Sequence, residues 1–141
     1  LLLIIRTQKV AFISWTQVGT GYYASQLFGE GWDQPVLKAK EANIYKLEDC
    51  ITKGYPIMFT LSDDNQELIG WDPQPTGYDK TDYGMLYFAA AGMERKGNVL
   101  SFPMQGLVVL DGGKWGVLYQ GFTETLEMPE GFWLSWQLDN M

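Results

Sequence analysis

PVLKAKEANIYKLEDCITKGYP, residues 35 to 56, decides what kind of domain this chain builds. At helical spacing, Leu37, Ile44, Leu47 and Ile51 share one face, with lysine and glutamate elsewhere. Asp33 can cap such a helix and Pro35 suits its first turn. Gly54 stands where a left-handed C-terminal residue is wanted, and Pro56 prevents continuation. The spacing therefore predicts a packed α-helix over residues 35–53. The central AKEANIYK also fits an extended chain, which would leave only residues 47–53 helical.

Upstream of this stretch is GWDQP, Gly31 to Pro35, and GWDPQP returns at Gly70 to Pro75. The likeness ends there. VLKAKEANIY follows the first copy and TGYDKTDYGM the second, so the pair is not an internal duplication. Both read as turns, with glycine bending the chain before a large ring and aspartate and proline supplying turn chemistry.

Downstream the pattern is β. PIMFTL and ELIGW flank the turn-rich Ser62–Asn65. YGMLYFAAAGMER and NVLSFPMQ meet at Lys96–Gly97–Asn98, and QGLVVL and KWGVLYQGF meet at Asp111–Gly112–Gly113. TETLEM leads through Pro129–Gly131 to GFWLSWQL, in which Phe132, Leu134, Trp136 and Leu138 alternate with Trp133, Ser135 and Gln137. LLLIIRTQKVAFISW opens the chain with further strand. The sum is a single globular domain over residues 1–141, mainly β within the α+β class. Seven to nine short strands form an antiparallel β-sandwich or a partly open barrel, with one packed helix.

Composition removes several function classes. The net charge of −7 argues against a nucleic-acid surface, which needs clustered lysine and arginine. LLLII is too short to span a bilayer before Arg6, so no membrane contact is expected. Cys50 is the sole cysteine, which rules out an intrachain disulfide or a paired-thiol site. That fits a soluble protein of the cytoplasm or of a virion rather than a disulfide-rich secreted one. With no histidine, neither a Ser-His-Asp triad nor a His-zinc centre can exist. Neither a cofactor nor a metal is expected. Asp63–Glu67 lacks calcium-loop spacing, and Gly19-Thr20-Gly21 lacks the third glycine of a dinucleotide loop. Cys50, close to Glu48 and Asp49, reads as an unreactive thiol.

Aromatic residues make up 15% of the chain, and they carry the remaining signal. Trp71, Tyr78 and Tyr83 fall in or beside one loop, and Tyr22, Tyr23 and Trp32 flank another glycine-rich segment. Trp133 points opposite to its apolar neighbours. These seven residues are the candidate binding site, because rigid rings supply contact area at low entropic cost. The expected function is a non-catalytic binding or assembly module that contacts a protein partner, including a second copy of itself. Such a module would suit a virus-like particle or a mobile-element accessory system. A carbohydrate- or small-ligand-binding module using Trp32, Trp71 and Tyr78 as platforms is the alternative. A carboxylate-dependent glycoside hydrolase drawing on Asp72, Asp79, Asp82, Glu124 and Glu127 is the third reading.

Overall fold

The computed structural model describes residues 13–132. The strands expected over 1–12 and 133–138, and Trp133 with them, lie outside the described residues. Nine strands follow in order: β1 (Trp15–Ser25), β2 (Glu30–Ala39), β3 (Ile44–Leu47), β4 (Ile57–Leu61), β5 (Leu68–Pro75), β6 (Tyr87–Ala90), β7 (Glu94–Lys96), β8 (Val99–Val109) and β9 (Trp115–Glu127).

All pairings are antiparallel, and eight strands close on themselves in the ring β1-β2-β3-β4-β5-β6-β8-β9. β7 lies outside that ring. It extends the line of β6 along β8, with a one-residue offset across residues 91–93. Chain neighbours are space neighbours, so this is an up-and-down barrel. Of the two expected forms, a sandwich or a partly open barrel, the structure takes the barrel and closes it, which leaves no sheet-long edge to cover. The turns at 26–29, 48–56, 76–86 and 110–114 gather at one rim, called the upper rim below. Those at 40–43, 62–67 and 97–98 gather at the lower rim.

The helix expected over 35–53 does not form. That segment is the end of β2, a turn at Lys40–Asn43, β3, and a loop holding Cys50. The inward residues are Val36, Tyr45 and Leu47, which follow a strand's period of two. The helical reading depended on Leu37 and Ile44, which are only half-buried. The good helix formers Lys40, Glu41 and Ala42 are spent on the turn. Pairing of β3 with both β2 and β4 outweighs their local preference.

Both GWD stretches are strand rather than turn. Gly31 lets the exposed Tyr22 ring lie across the strand. A Cβ there would come within 2.5 Å of the Tyr22 hydroxyl oxygen. Pro35 ends the β2–β3 ladder, and the Gln34 side chain bridges the gap by donating to the Glu48 carbonyl at 2.7 Å.

An eight-stranded barrel has an interior just wide enough for side chains to fill. In this one the filling is aromatic. Tyr45, Phe59 and Trp71, on adjacent strands, stack at 5.5 and 5.6 Å, and Phe102 meets the last two edge-on from β8. Apolar residues face in and polar ones mostly face out, the reverse of a lipid-facing barrel. Among the described residues no helix is long and apolar enough to cross a membrane.

At the lower rim Asn65, fully buried in a left-handed conformation, plugs the lumen. Its Oδ1 accepts from Asn43 Nδ2 at 2.6 Å and from the Tyr45 hydroxyl at 3.3 Å. Trp71 carries a cost of its own, because its Nε1–H is buried with no acceptor among the described residues. Trp71→Phe keeps a ring and removes that orphaned donor, which offsets about 1–3 kcal/mol of lost packing. Its unfolding free energy is expected within about 1 kcal/mol of the parent in a urea titration. A loss above roughly 3 kcal/mol would show that the indole nitrogen is satisfied.

Candidate functional site

The surface that stands out is the end of the β8–β9 ribbon, where it passes the upper rim. The turn Leu110–Lys114 closes it, with Gly113 N–H donating to the Leu110 carbonyl at 3.0 Å and Leu110 N–H to the Lys114 carbonyl at 2.7 Å. Gly112 and Gly113, at φ 85° and 78°, adopt a conformation that a side chain would strain. This is the hairpin expected from Asp111-Gly112-Gly113.

Alternation sorts the ribbon's side chains onto two faces. Val109 pairs with Trp115 and Leu107 with Val117, and Tyr87 of β6 pairs with Leu107, so these five share the outer face. The Tyr87 and Trp115 rings meet edge-on at 5.0 Å. Leu107 is buried beneath them, but Trp115 and Val117 remain 51% and 53% exposed. On the opposite face Leu110 packs over Gly116, and Tyr119 lies across Gly106 towards Leu86. Leu110 and Tyr119 are also exposed. The ribbon therefore presents large apolar groups on both faces, and residues 115–121, WGVLYQG, contain no charge and no proline.

Sequence reasoning missed this surface. The sequence marks KWGVLYQGF as one strand of a hairpin, and alternation alone does not say where that strand leaves the barrel. The shear that carries it past β1 is set by pairing: β9 meets β1 only over Glu124–Glu127.

The six described candidates from the sequence divide into two groups. Tyr23 and Trp71 are core residues, 1% and 3% exposed, and Trp32 is half-buried. Trp32 stacks on Tyr23 at 5.2 Å and donates its Nε1–H to Gln34 Oε1 at 3.0 Å. These three rings face the lumen and offer no outward platform. Tyr22, Tyr78 and Tyr83 are exposed. Tyr78 leans edge-on against Phe28 at 5.4 Å, in the 76–86 loop of the upper rim.

Among the acids considered for hydrolysis, Glu124 and Glu127 face opposite sides of β9, and Asp72, Asp79 and Asp82 are exposed. Glu124 is the one buried carboxylate among the described residues. It accepts from the Tyr23 hydroxyl at 2.9 Å and from the Gln26 N–H at 2.8 Å. Burial pushes its carboxyl above the ordinary carboxylate range, against hydrogen bonds from Ser25, Tyr23 and the Leu27 and Gln26 N–H groups that pull it down. Burial also drives the Cys50 thiol far up, and the Glu124 charge adds to this, so both favour the protonated thiol. The cluster has the character of a structural tie, because it binds the β1–β2 turn to β9.

Two concavities of about 530 and 520 Å³ lie at the opposite end, lined by Ile13, Ala39 and Ile44 and by Thr16, Lys38 and Phe132. Among the described residues each holds a single acid, Glu41 or Glu130, and both abut the limits of the described chain. Among the described residues no three or more acidic or cysteine side chains gather into a metal-holding group. No protein-family model, no curated protein and no solved structure matches this chain.

Proposed function

We propose that the protein is a non-catalytic binding or assembly module that contacts protein through the protruding β8–β9 ribbon. The observation that carries this is the exposure of Trp115 and Val117, at 51% and 53%, on a strand stretch without charge. A solitary exposed apolar residue is ordinary. A continuous strip with Tyr87 and Val109 beside it, and Leu110 and Tyr119 behind it, is the composition of an interface centre. Fully removing each such side chain from water contributes roughly 1.5–3 kcal/mol. The packed lumen supports a role in which the surface, not an internal cavity, meets the partner. The carbohydrate reading is the weaker one, because two of its three platforms, Trp32 and Trp71, are turned inward and only Tyr78 remains exposed.

The test is a photo-crosslinking amino acid placed at position 115 and, as control, at Met58, an exposed residue on β4. In extract of the source cells, position 115 is expected to give a discrete protein adduct that position 58 does not. Equal labelling at both positions, or none at 115, would remove the reading.

A further inference from the structure

Beyond the reading just given, and resting on it, the geometry points to a second copy of this chain as the partner: we propose that two molecules join by antiparallel pairing of their β9 edges about Gly116. The turn fixes which backbone groups face away from β8. Leu110 N–H bonds the Lys114 carbonyl, so these residues form a hydrogen-bonded position of the ladder. Bonded and non-bonded pairs alternate in an antiparallel ladder. Val109–Trp115 is therefore non-bonded, Val108–Gly116 bonded and Leu107–Val117 non-bonded, in the observed register. Residues of a non-bonded pair turn their own N–H and C=O away from each other. Trp115 and Val117 thus aim both backbone groups outward from β8. On that side β9 pairs with β1 only from Glu124 onward. No other backbone bond reaches residues 115–117 among the described residues.

Natural sheets protect such an edge with charge, proline or a covering element. This edge has no charge or proline between residues 115 and 121. The outward groups are two residues apart, so one two-fold axis satisfies them all. It passes through Gly116 and sets Trp115 against Val117 of the second copy, and Val117 against its Trp115. Isologous contacts of this kind are self-complementary by symmetry. The side chains agree with the register. Each bulky Trp115 faces the smaller Val117 on the outer face, and glycine meets glycine at the centre. Lys114 meets Leu118, so no like charges are opposed. In a chain of net charge −7, two copies repel over most of their surface, and the neutral strand is where they can approach.

The test uses the purified chain. Light scattering across a micromolar-to-millimolar series is expected to show the mass rising from 16.0 kDa to twice that. Val117→Pro deletes an outward N–H that has no backbone partner among the described residues, a position where edge strands tolerate proline. It is expected to weaken dimerisation at least tenfold. Val117→Lys, which leaves the backbone untouched, does the same by placing a charge in the seam. Register is read by disulfide trapping. Bonded cross-strand partners lie about 5.5 Å apart at Cα, inside the roughly 4.4–6.8 Å that a disulfide spans. Trp115→Cys chains mixed with Val117→Cys chains should crosslink, while either variant alone should not, because like positions then lie diagonally. A mass of 16.0 kDa throughout, or a dimer indifferent to both Val117 variants, overturns the proposal. If the chain stays monomeric but the crosslinker at position 115 still captures another protein, the binding function survives and self-pairing does not.

Discussion

Replacing Phe102 with alanine is expected to lower the unfolding free energy by about 3–5 kcal/mol, the range for deleting a large aromatic side chain from a core. Phe102 is fully buried on β8, where its ring meets Phe59 at 5.2 Å and Trp71 at 4.9 Å. It closes the column that Tyr45, Phe59 and Trp71 begin on three successive strands. Those neighbours are themselves large and stacked, so they cannot slide to fill the void without losing contacts with one another. Domains of this kind hold about 5–15 kcal/mol in total, so one substitution removes a large fraction of it. Urea unfolding followed by tryptophan fluorescence reads the loss directly. Met58→Ala, on an exposed outward position, should change it by less than about 0.5 kcal/mol. A Phe102→Ala loss below roughly 1 kcal/mol would mean that the ring column does not hold the barrel together.

The same column explains how much of the fold was readable. Alternation in PIMFTL and in VLSFPM, and glycine-rich turns at Gly97 and at Gly112–Gly113, are local signals, and these elements lie where they were expected. The stretch from Pro35 to Lys53 misled because its surface residues favour helix. Its strand character depends on Tyr45 stacking on Phe59, which no local window contains. The tryptophans of the two GWD stretches misled for a related reason. Composition shows that a ring must be covered, not whether the chain's own lumen or another molecule covers it. Trp32 and Trp71 turn inward because strand parity places them with Gln34 and Phe59. Trp115 turns outward because pairing with Val109 places it on the outer face, on a stretch that the barrel's shear carries past β1. Shear is a global property of the closed ring, so the exposed rings could not be told from the buried ones before closure was known.

Glu124 tests closure of that ring where β1 meets β9. Glu124→Ala is expected to cost about 3 kcal/mol or more, because it strands the Tyr23 hydroxyl and the Gln26 and Leu27 N–H groups, each at about 1–3 kcal/mol if left without an acceptor. Tyr23→Phe removes only one donor and should cost about 1 kcal/mol. Glu124→Gln separates charge from shape. Its amide oxygen can take the two N–H groups while its NH₂ donates to Tyr23. The sign of the pH dependence follows from the raised carboxyl. The folded state holds this proton more tightly than the unfolded chain, whose glutamate titrates near 4.3. The group's contribution is therefore greatest below about pH 4.3. It declines as pH rises through the folded value, beyond which the folded barrel carries a buried carboxylate. The parent should thus lose stability relative to Glu124→Gln as pH climbs from about 4 towards neutrality, then run parallel to it. This is opposite to the usual acid lability of a salt-bridged carboxylate. Paired urea titrations at pH 4 to 7 measure it. A parent that instead gains on the glutamine variant with rising pH would mean that the four hydrogen bonds outweigh desolvation. Glu124 would then be a stabilising anion at the seam rather than a charge confined there by the geometry of closure.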